Sequence, residues 1–254
     1  MPKLDLGISI IPIKKIDGGN KYIIPKNIYQ CWISSTKKTP KCIEEAIEKL
    51  KLQNQEFKFH IYNDEMCRKF IKTNFNEDVL YAYNMLKPEA YKADLWRYCI
   101  MYKLGGVYID CKYVMNGNNK IINLLDKEYF VRDVNALPRG NGEYIQNSLL
   151  ISKPKNKLYL NCINKIVEKV KKRDVGRCDL DVTGPRFLAT QFNDNIEYMK
   201  TRNYNKKNLK HTGNGNIYYD NNLFMKIHRN NEYYSYVNKN NRYGRVYPNI
   251  YNNL

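Results

Sequence analysis

Histidine is scarce: His60, His211 and His228 are the only three among 254 residues. No two cysteines stand as C-x-x-C, and the cysteine count is odd, at seven. Those absences exclude a zinc knuckle and a disulfide framework, and they fit a reducing compartment. No apolar run approaches the ~18 residues a membrane helix needs. The apolar patch from Ile8 to Ile13 is broken by Pro12 and lacks the long core and cleavage site of a signal peptide. It reads as an edge strand ending at the Asp17-Gly18-Gly19 turn. A cytoplasmic protein with no membrane span is expected. Acid is also short, with 25 Asp and Glu against 43 Lys and Arg, a net charge of +18. Such a balance favours anionic partners. The lysines are spread through every segment without a dense tract, so a general lysine bias accounts for them better than a nucleic-acid patch, and no specific nucleic acid is expected.

What is present is an apolar content of 43%, enough for a substantial core. The length fits one domain, and no linker divides it. "NIYQCWI" (27–33) reads as a buried strand. Thr39-Pro40 sets an N-cap with proline at the first helical position, before "KCIEEAIEKLKLQ", where Ile43, Ala46, Ile47 and Leu50 share a face. "FKFHIYN" alternates as a second strand, and Asp64 is placed to cap the helix "EMCRKFIKTNF". This order predicts an α/β layer with parallel strands.

Pro88 and Gly105 bound the next helix, the favoured asymmetry of ends. Ala93, Arg97, Ile100 and Leu104 line one face, widened by Ala90 and Met101. A guanidinium in an apolar stripe needs a partner, and Asp94 is one turn away. The spacing suits equally a structural ion pair and a carboxylate–arginine pair at a pocket. "GGVYID" then predicts a strand delivering Asp110 at its carboxyl end, where open α/β sheets bind ligands. Further on, "EYFVR" and 148–151 read as strands, and the residues before 148 as a loop. Asn156–Lys172 reads as a helix with Leu160, Ile163 and Val167 inward. A turn at Gly184-Pro185 precedes another helix. "NIYY" and "YSYV" look like short strands.

Four segments in order, "IPKNIYQCW" (24–32), "FKFHIYNDEMC" (57–67), "AYKADLWRYCIMYKLGGVYIDCK" (90–112) and "VTGPRFL" (182–188), resemble the family 32 glycosyltransferases. That family is related to yeast α-mannosyltransferases and, more distantly, to clostridial glucosylating toxins. The combined A-x-x-x-D-x-x-R…GG-x-Y-x-D block carries the resemblance. It implies a GT-A fold, a Rossmann-like mixed sheet flanked by helices, in one glycosyltransferase domain over 1–254. Within it, 1–21 would be an edge segment, 22–190 the nucleotide-sugar-binding core and 191–254 an extension completing the site. It implies a UDP- or GDP-sugar donor, a glycan or glycoprotein acceptor, and hexose transfer with retention of configuration. By the same resemblance Trp32 would pack near the donor base, and Asp94 and Arg97 would contact ribose and sugar hydroxyls. Asp110 would be the first acid of the DxD motif, Asn147 would sit by the sugar or acceptor, and Thr183 and Gly184 would shape the acceptor side. Tyr29 stands where the family usually has His. The bias to Lys, Asn, Ile and Tyr suits an AT-rich genome such as that of a giant virus.

The DxD position departs from the family: it reads Asp110-Cys111-Lys112. The family's final acid usually ligates Mn²⁺ or Mg²⁺, and a lysine cannot. Three outcomes follow. Lys112 replaces the metal at the diphosphate, on the expectation that alternation along a strand turns 110 and 112 to one side. Alternatively Asp110 still holds a metal with His228. In the third, the chain binds nucleotide-sugar or glycan without transferring it. A basic polyanion binder using tyrosine stacking is the reading from another class. Asp133, Asp179 and Asp181 are loose candidates for a nucleophile.

Overall fold

The computed structural model describes residues 22–34, 39–133, 144–193, 209–211, 215–231, 233–234 and 247–252. The segment Ile8–Ile13 and all of "YSYV" after Tyr234 lie outside them, as do the side chains of Asp133 and His211.

Strand β1 (Asn27–Cys31) is buried throughout. Helix α1 (Lys41–Gln53) carries the chain to β2 (Lys58–Tyr62), which pairs with β1 in parallel from Asn27↔Lys58 to Cys31↔Tyr62. Pro40 is itself the N-cap of α1, in extended conformation, rather than its first helical residue. The apolar stripe Ile43, Ala46, Ile47 and Leu50 is buried as the periodicity predicts. In α2 (Asp64–Asn74) the cap is Asn63, whose side chain accepts from Met66 N. Asp64 instead stands in the first turn, where a negative charge suits the helix dipole. An unanticipated helix, α3 (Glu77–Met85), follows, capped by Asn76.

Helix α4 (Glu89–Leu104) starts after Pro88 and stops at Gly105, as its ends predict. Its burial is not one-sided, however: every residue from Asp94 to Met101 is buried. A helix enclosed all round has neighbours on every side; α2, α3 and α5 (Lys157–Lys171) supply them here. The inward face of α5 is Tyr159, Cys162, Ile163, Ile166 and Val170, so the stripe is rotated from the expected one, and Leu160 and Val167 are half-buried.

After Gly105 come β3 (Gly106–Ile109) and β4 (Tyr113–Met115). The remaining elements are β5 (Tyr129–Asp133), β6 (Tyr144–Ser152), α6 (Pro185–Asn193), β7 (Leu209–His211), β8 (Ile217–Tyr219) and β9 (Asn222–Ile227). β6 is longer than the sequence suggests, so Asn147 lies in a strand and not in a loop. The nine strands form one sheet in the order β2-β1-β3-β6-β5-β7-β8-β9-β4. It is mixed: β1/β2, β1/β3 and β5/β7 are parallel, and β3/β6, β5/β6, β7/β8, β8/β9 and β4/β9 antiparallel.

Alternation along β3 decides what faces what. Val107 and Ile109 pack with Leu50 of α1 and Ile28, on one side of the sheet. Tyr108 turns the other way, into the large cluster with Leu95, Trp96 and Ile100 of α4. Each such buried aliphatic side chain contributes about 1.5–3 kcal/mol of transfer free energy. β1 and β3 run the same way, so Trp32 and Asp110 leave the sheet at the same edge. Among the described residues no helix is long and apolar enough to cross a membrane.

Candidate active site

β3 ends at Ile109, and Asp110 N is still tied to the sheet through Ser148 O, 2.9 Å away on β6. The chain then turns, with Tyr113 N donating to Asp110 O at 3.1 Å. Asp110-Cys111-Lys112 is therefore a turn between two strands, not the continuous strand assumed from the sequence. The two charged side chains nevertheless meet: Lys112 Nζ donates to Asp110 Oδ2 at 2.6 Å. Asp110 Oδ1 accepts from the Tyr108 hydroxyl at 2.8 Å and faces Arg97 Nη1 at 3.3 Å. Both carboxylate oxygens are thus engaged, and the group is flanked by two cations. Burial alone would raise its pKa, but the Lys112 and Arg97 charges outweigh burial and hold it below the ordinary value. Burial would lower the Lys112 pKa; the Asp110 charge overturns that, and the ammonium is held above its ordinary value.

Arg97 joins this surface pair to a buried one. Its guanidinium stacks over the Tyr108 ring, 4.4 Å from the centroid, and donates to Asn147 O at 2.7 Å. Nη2 lies 3.2 Å from Asp94 Oδ1. Asp94 is fully buried; Oδ1 accepts from Asn147 Nδ2 at 2.9 Å and Oδ2 from Thr183 Oγ1 at 2.7 Å. Gly184 stands against the same carboxylate: a Cβ there would lie 3.7 Å from Asp94 Oδ2. The Tyr98 hydroxyl completes the group, donating to Thr183 O at 2.9 Å and accepting from Asn147 Nδ2 at 3.2 Å. Burial raises the pKa of the Tyr98 hydroxyl, and that of Tyr108 as well, so both stay protonated donors.

The structure therefore brings Asp94, Arg97, Asp110, Lys112, Asn147, Thr183 and Gly184 into one network. Asp94 and Thr183 are its closed end, with no solvent contact. The Asp110 and Lys112 side chains are its open end, 19% and 22% exposed. Trp32 stands beside the network, on the α1 side of the sheet, packed with Cys42, Ile43, Ile47 and Cys111. His228 is linked to Lys112 through its backbone, N to O at 2.7 Å, while its ring turns to Glu45, with Nε2 3.5 Å from Oε2. Asp181 is held by Arg177 Nε at 3.0 Å and lies 3.8 Å from Arg186 Nε. The backbone oxygen of Asp179 accepts from the Tyr91 hydroxyl at 2.8 Å. Tyr108 and Tyr98 are the members that sequence reasoning missed. The i, i+2 spacing of Tyr108 and Asp110 was the available signal for the first, and nothing local marks the second.

A divalent cation of the hard kind takes about six oxygen ligands. Around Asp110 there is one carboxylate, already bound by an ammonium, a guanidinium and a phenol. The expected pairing of Asp110 with His228 is not formed, because that ring faces Glu45. Among the described residues no group of three or more His, Cys, Asp or Glu is gathered to hold a metal. The donor set that the described residues offer around Asp110 does not fit Mn²⁺ or Mg²⁺.

Residues 40–131 match the family model described as "Glycosyltransferase sugar-binding region containing DXD motif". A glycosyltransferase of Acanthamoeba polyphaga mimivirus is 33% identical over 96 residues, 38% of this chain and 38% of its own. The initiation-specific alpha-1,6-mannosyltransferase of Candida albicans is 32% identical over 90 residues, 34% of this chain and 23% of its own. The chain thus spans well under half the length of these relatives. Two solved structures share the fold. The PaToxG glycosyltransferase aligns at TM-score 0.51 and 14% identity, over 70% of this chain and 73% of its own. The ligand-free glycosyltransferase domain of the YGT toxin aligns at 0.51 and 10%, over 74% and 81%. The family match begins at the N-cap of α1, takes in the whole Asp94-to-Lys112 block and ends in β5, so the Asp94, Arg97, Asp110 and Lys112 part of the network lies within the stretch that is similar to the DXD-containing sugar-binding region of glycosyltransferases.

Proposed function

We propose that the chain is a glycosyltransferase taking a hexose from a UDP- or GDP-sugar to a glycan or protein hydroxyl, with Lys112 acting at the diphosphate. The observation that carries this is the open end of the network, where an ammonium sits at the carboxyl edge of the sheet. Asp110 uses one of its three N–H donors; the others are available to phosphate oxygens. A fixed cation there offsets the charge that grows on the departing nucleotide. Asp94 then acts as a positioning residue, holding Arg97, Asn147 and Thr183 in place, since neither of its oxygens reaches solvent.

Transfer with retention suits this site through attack on the same face. The bond from the anomeric carbon to the phosphate oxygen breaks, the bond to the acceptor oxygen forms, and the acceptor's proton passes to the departing phosphate oxygen. No protein base is then required, and catalysis consists of positioning and phosphate stabilisation. The covalent route needs a carboxylate beneath the anomeric carbon; Asp181 is engaged by two arginines, which speaks for the direct route. Cytoplasmic action is part of this reading.

The test is a thermal-shift screen of UDP- and GDP-sugars in EDTA and in Mn²⁺, followed by donor turnover with and without acceptor. One donor should raise the melting temperature by mass action even in EDTA. Binding without turnover would leave a silent nucleotide-sugar binder. Affinity for any polyanion, lost steeply with salt and indifferent to the sugar nucleotide, would overturn the proposal.

A further inference from the structure

A second cation stands beside the Asp110–Lys112 turn, on the segment that follows β9. The β4/β9 pairing sets Tyr113 opposite Ile227, and the Lys112–His228 backbone bond extends it by one residue. Arg229 is the next residue along from that bond. Its position is fixed from two sides. A Cβ on Gly215 would lie 3.8 Å from Arg229 Nη2, and Gly215 O accepts from the Tyr113 hydroxyl at 2.8 Å. Lys112 Nζ lies over that same Tyr113 ring, 5.4 Å from its centroid. The two cations therefore share one tyrosine between them. Arg229 is half-buried, and among the described residues no carboxylate pairs with it. Its guanidinium is flanked by Tyr233 and Tyr234, at 5.7 and 5.0 Å from the ring centroids.

Tyr233 reaches the other side of the turn. Asn230 holds it there, its side chain accepting from Tyr233 N at 3.2 Å. The Tyr233 ring packs on the cluster of Cys42, Ile43, Ile47 and Cys111, the cluster against which Trp32 also packs. Two aromatic rings thus border Cys111, and two cations stand at the turn. A half-buried guanidinium that pairs with no carboxylate among the described residues, and that shares Tyr113 with an ammonium, is arranged for an anion with several oxygens.

We infer that Arg229 and Lys112 together form a two-cation cradle for a nucleoside diphosphate, with Tyr233 closing its apolar side. This rests on the proposed function and adds a residue on which selection for diphosphate over monophosphate depends.

The experiment is calorimetric titration in EDTA of the wild type, Arg229→Ala and Arg229→Lys with UDP, GDP, UMP, GMP, uridine and guanosine. For the wild type, the matching diphosphate should bind about tenfold tighter than its monophosphate. Arg229→Ala should erase most of that preference while leaving nucleoside affinity unchanged, and Arg229→Lys should keep part of it. If Arg229→Ala does not fold, Arg229→Gln carries the comparison. Wild type binding none of the six would sink the proposed function itself. Diphosphate binding with the full preference retained in Arg229→Ala would sink the Arg229 inference alone.

Discussion

The Lys112 ammonium lies 2.6 Å from Asp110 Oδ2, across the turn that joins β3 to β4. The pair is mostly shielded, and Arg97 backs it from the core side at 3.3 Å. The carboxylate is therefore compensated twice. Removing Lys112 leaves Arg97 in place, so Lys112→Met should cost about 1–2 kcal/mol, less than breaking an isolated buried pair. Chemical denaturation of the two proteins measures it.

The same pair sets a pH profile. Asp110 has its pKa lowered from 3.8 in the folded chain, so its contribution is present above 3.8 and is lost as pH falls through the folded value. Lys112 has its pKa raised from 10.5, so its contribution is present below 10.5 and is lost as pH rises through the folded value. Melting temperature against pH should show a plateau between about 5 and 9 with a fall on either side. Lys112→Met should flatten the alkaline fall selectively and leave an acid limb supported by Arg97. An unchanged alkaline limb in the variant would refute the assignment.

Asp94 should be the costliest single position in the network. Its two oxygens accept from Thr183 Oγ1 and Asn147 Nδ2 at 2.7 and 2.9 Å. Asp94→Asn keeps the shape but turns one acceptor into a donor facing a donor, and deprives Arg97 of a charge. A loss of about 3–5 kcal/mol is expected. Thr183→Val removes one hydroxyl from the same carboxylate and should cost about 1–3 kcal/mol. The double variant should lose less than the sum, because the two changes remove one shared contact. Strict additivity in urea unfolding would show that the contact contributes nothing.

How much of this was legible in the sequence depends on the range over which each residue finds its partners. Helix α4 announced itself through Pro88 and Gly105, since proline and glycine act on the backbone locally. Asp110 was legible because a short apolar run after two glycines ends on one acid. The enclosure of α4 was not, because three other helices, α2, α3 and α5, decide it. Tyr98 was invisible for the same reason: its hydroxyl meets Thr183, 85 residues away. Asn147 was expected in a loop because asparagine and glycine crowd the preceding residues, yet pairing with β5 carries the strand back to Tyr144. α3 is nine residues long, too short for periodicity to distinguish it. The side-by-side placement of Asp110 and Lys112 was anticipated from strand alternation, whereas a turn produces it. Arg229 lies 117 positions from Lys112, and only the β4/β9 register brings them together.

The glycine connection that feeds Asp110 into place is itself testable. Gly105 has φ 60° and ψ −160°, a region that side-chain-bearing residues avoid at a cost of about 1–3 kcal/mol. A Cβ there would also meet Pro154 Cδ at 2.6 Å. Gly117 likewise has φ 56°, with nothing within 4 Å of an added Cβ. Gly105→Ala should therefore destabilise by several kcal/mol, roughly the backbone cost plus that of overpacking, and Gly117→Ala by only about 1–2 kcal/mol. Equal melting temperatures for the two variants would contradict the close approach of Pro154.

Lys112→Asp carries the most direct reading of the open end. The substitution puts a second carboxylate two residues from Asp110, within the same turn, and removes the cation that now occupies Asp110 Oδ2. Two acids facing Arg97 alone leave a local excess of negative charge, which a hard divalent cation can neutralise with oxygen ligands. Donor binding in the wild type should be the same in EDTA and in Mn²⁺. In Lys112→Asp it should fall in EDTA by about tenfold or more, the worth of one charge-assisted contact, and be restored at least partly by Mn²⁺. Lys112→Ala separates the two effects: it should lose affinity without regaining it in metal. If Lys112→Asp binds donor as well as the wild type in EDTA, the ammonium does not act at the diphosphate, and the carboxyl edge of β3 holds the nucleotide by other means.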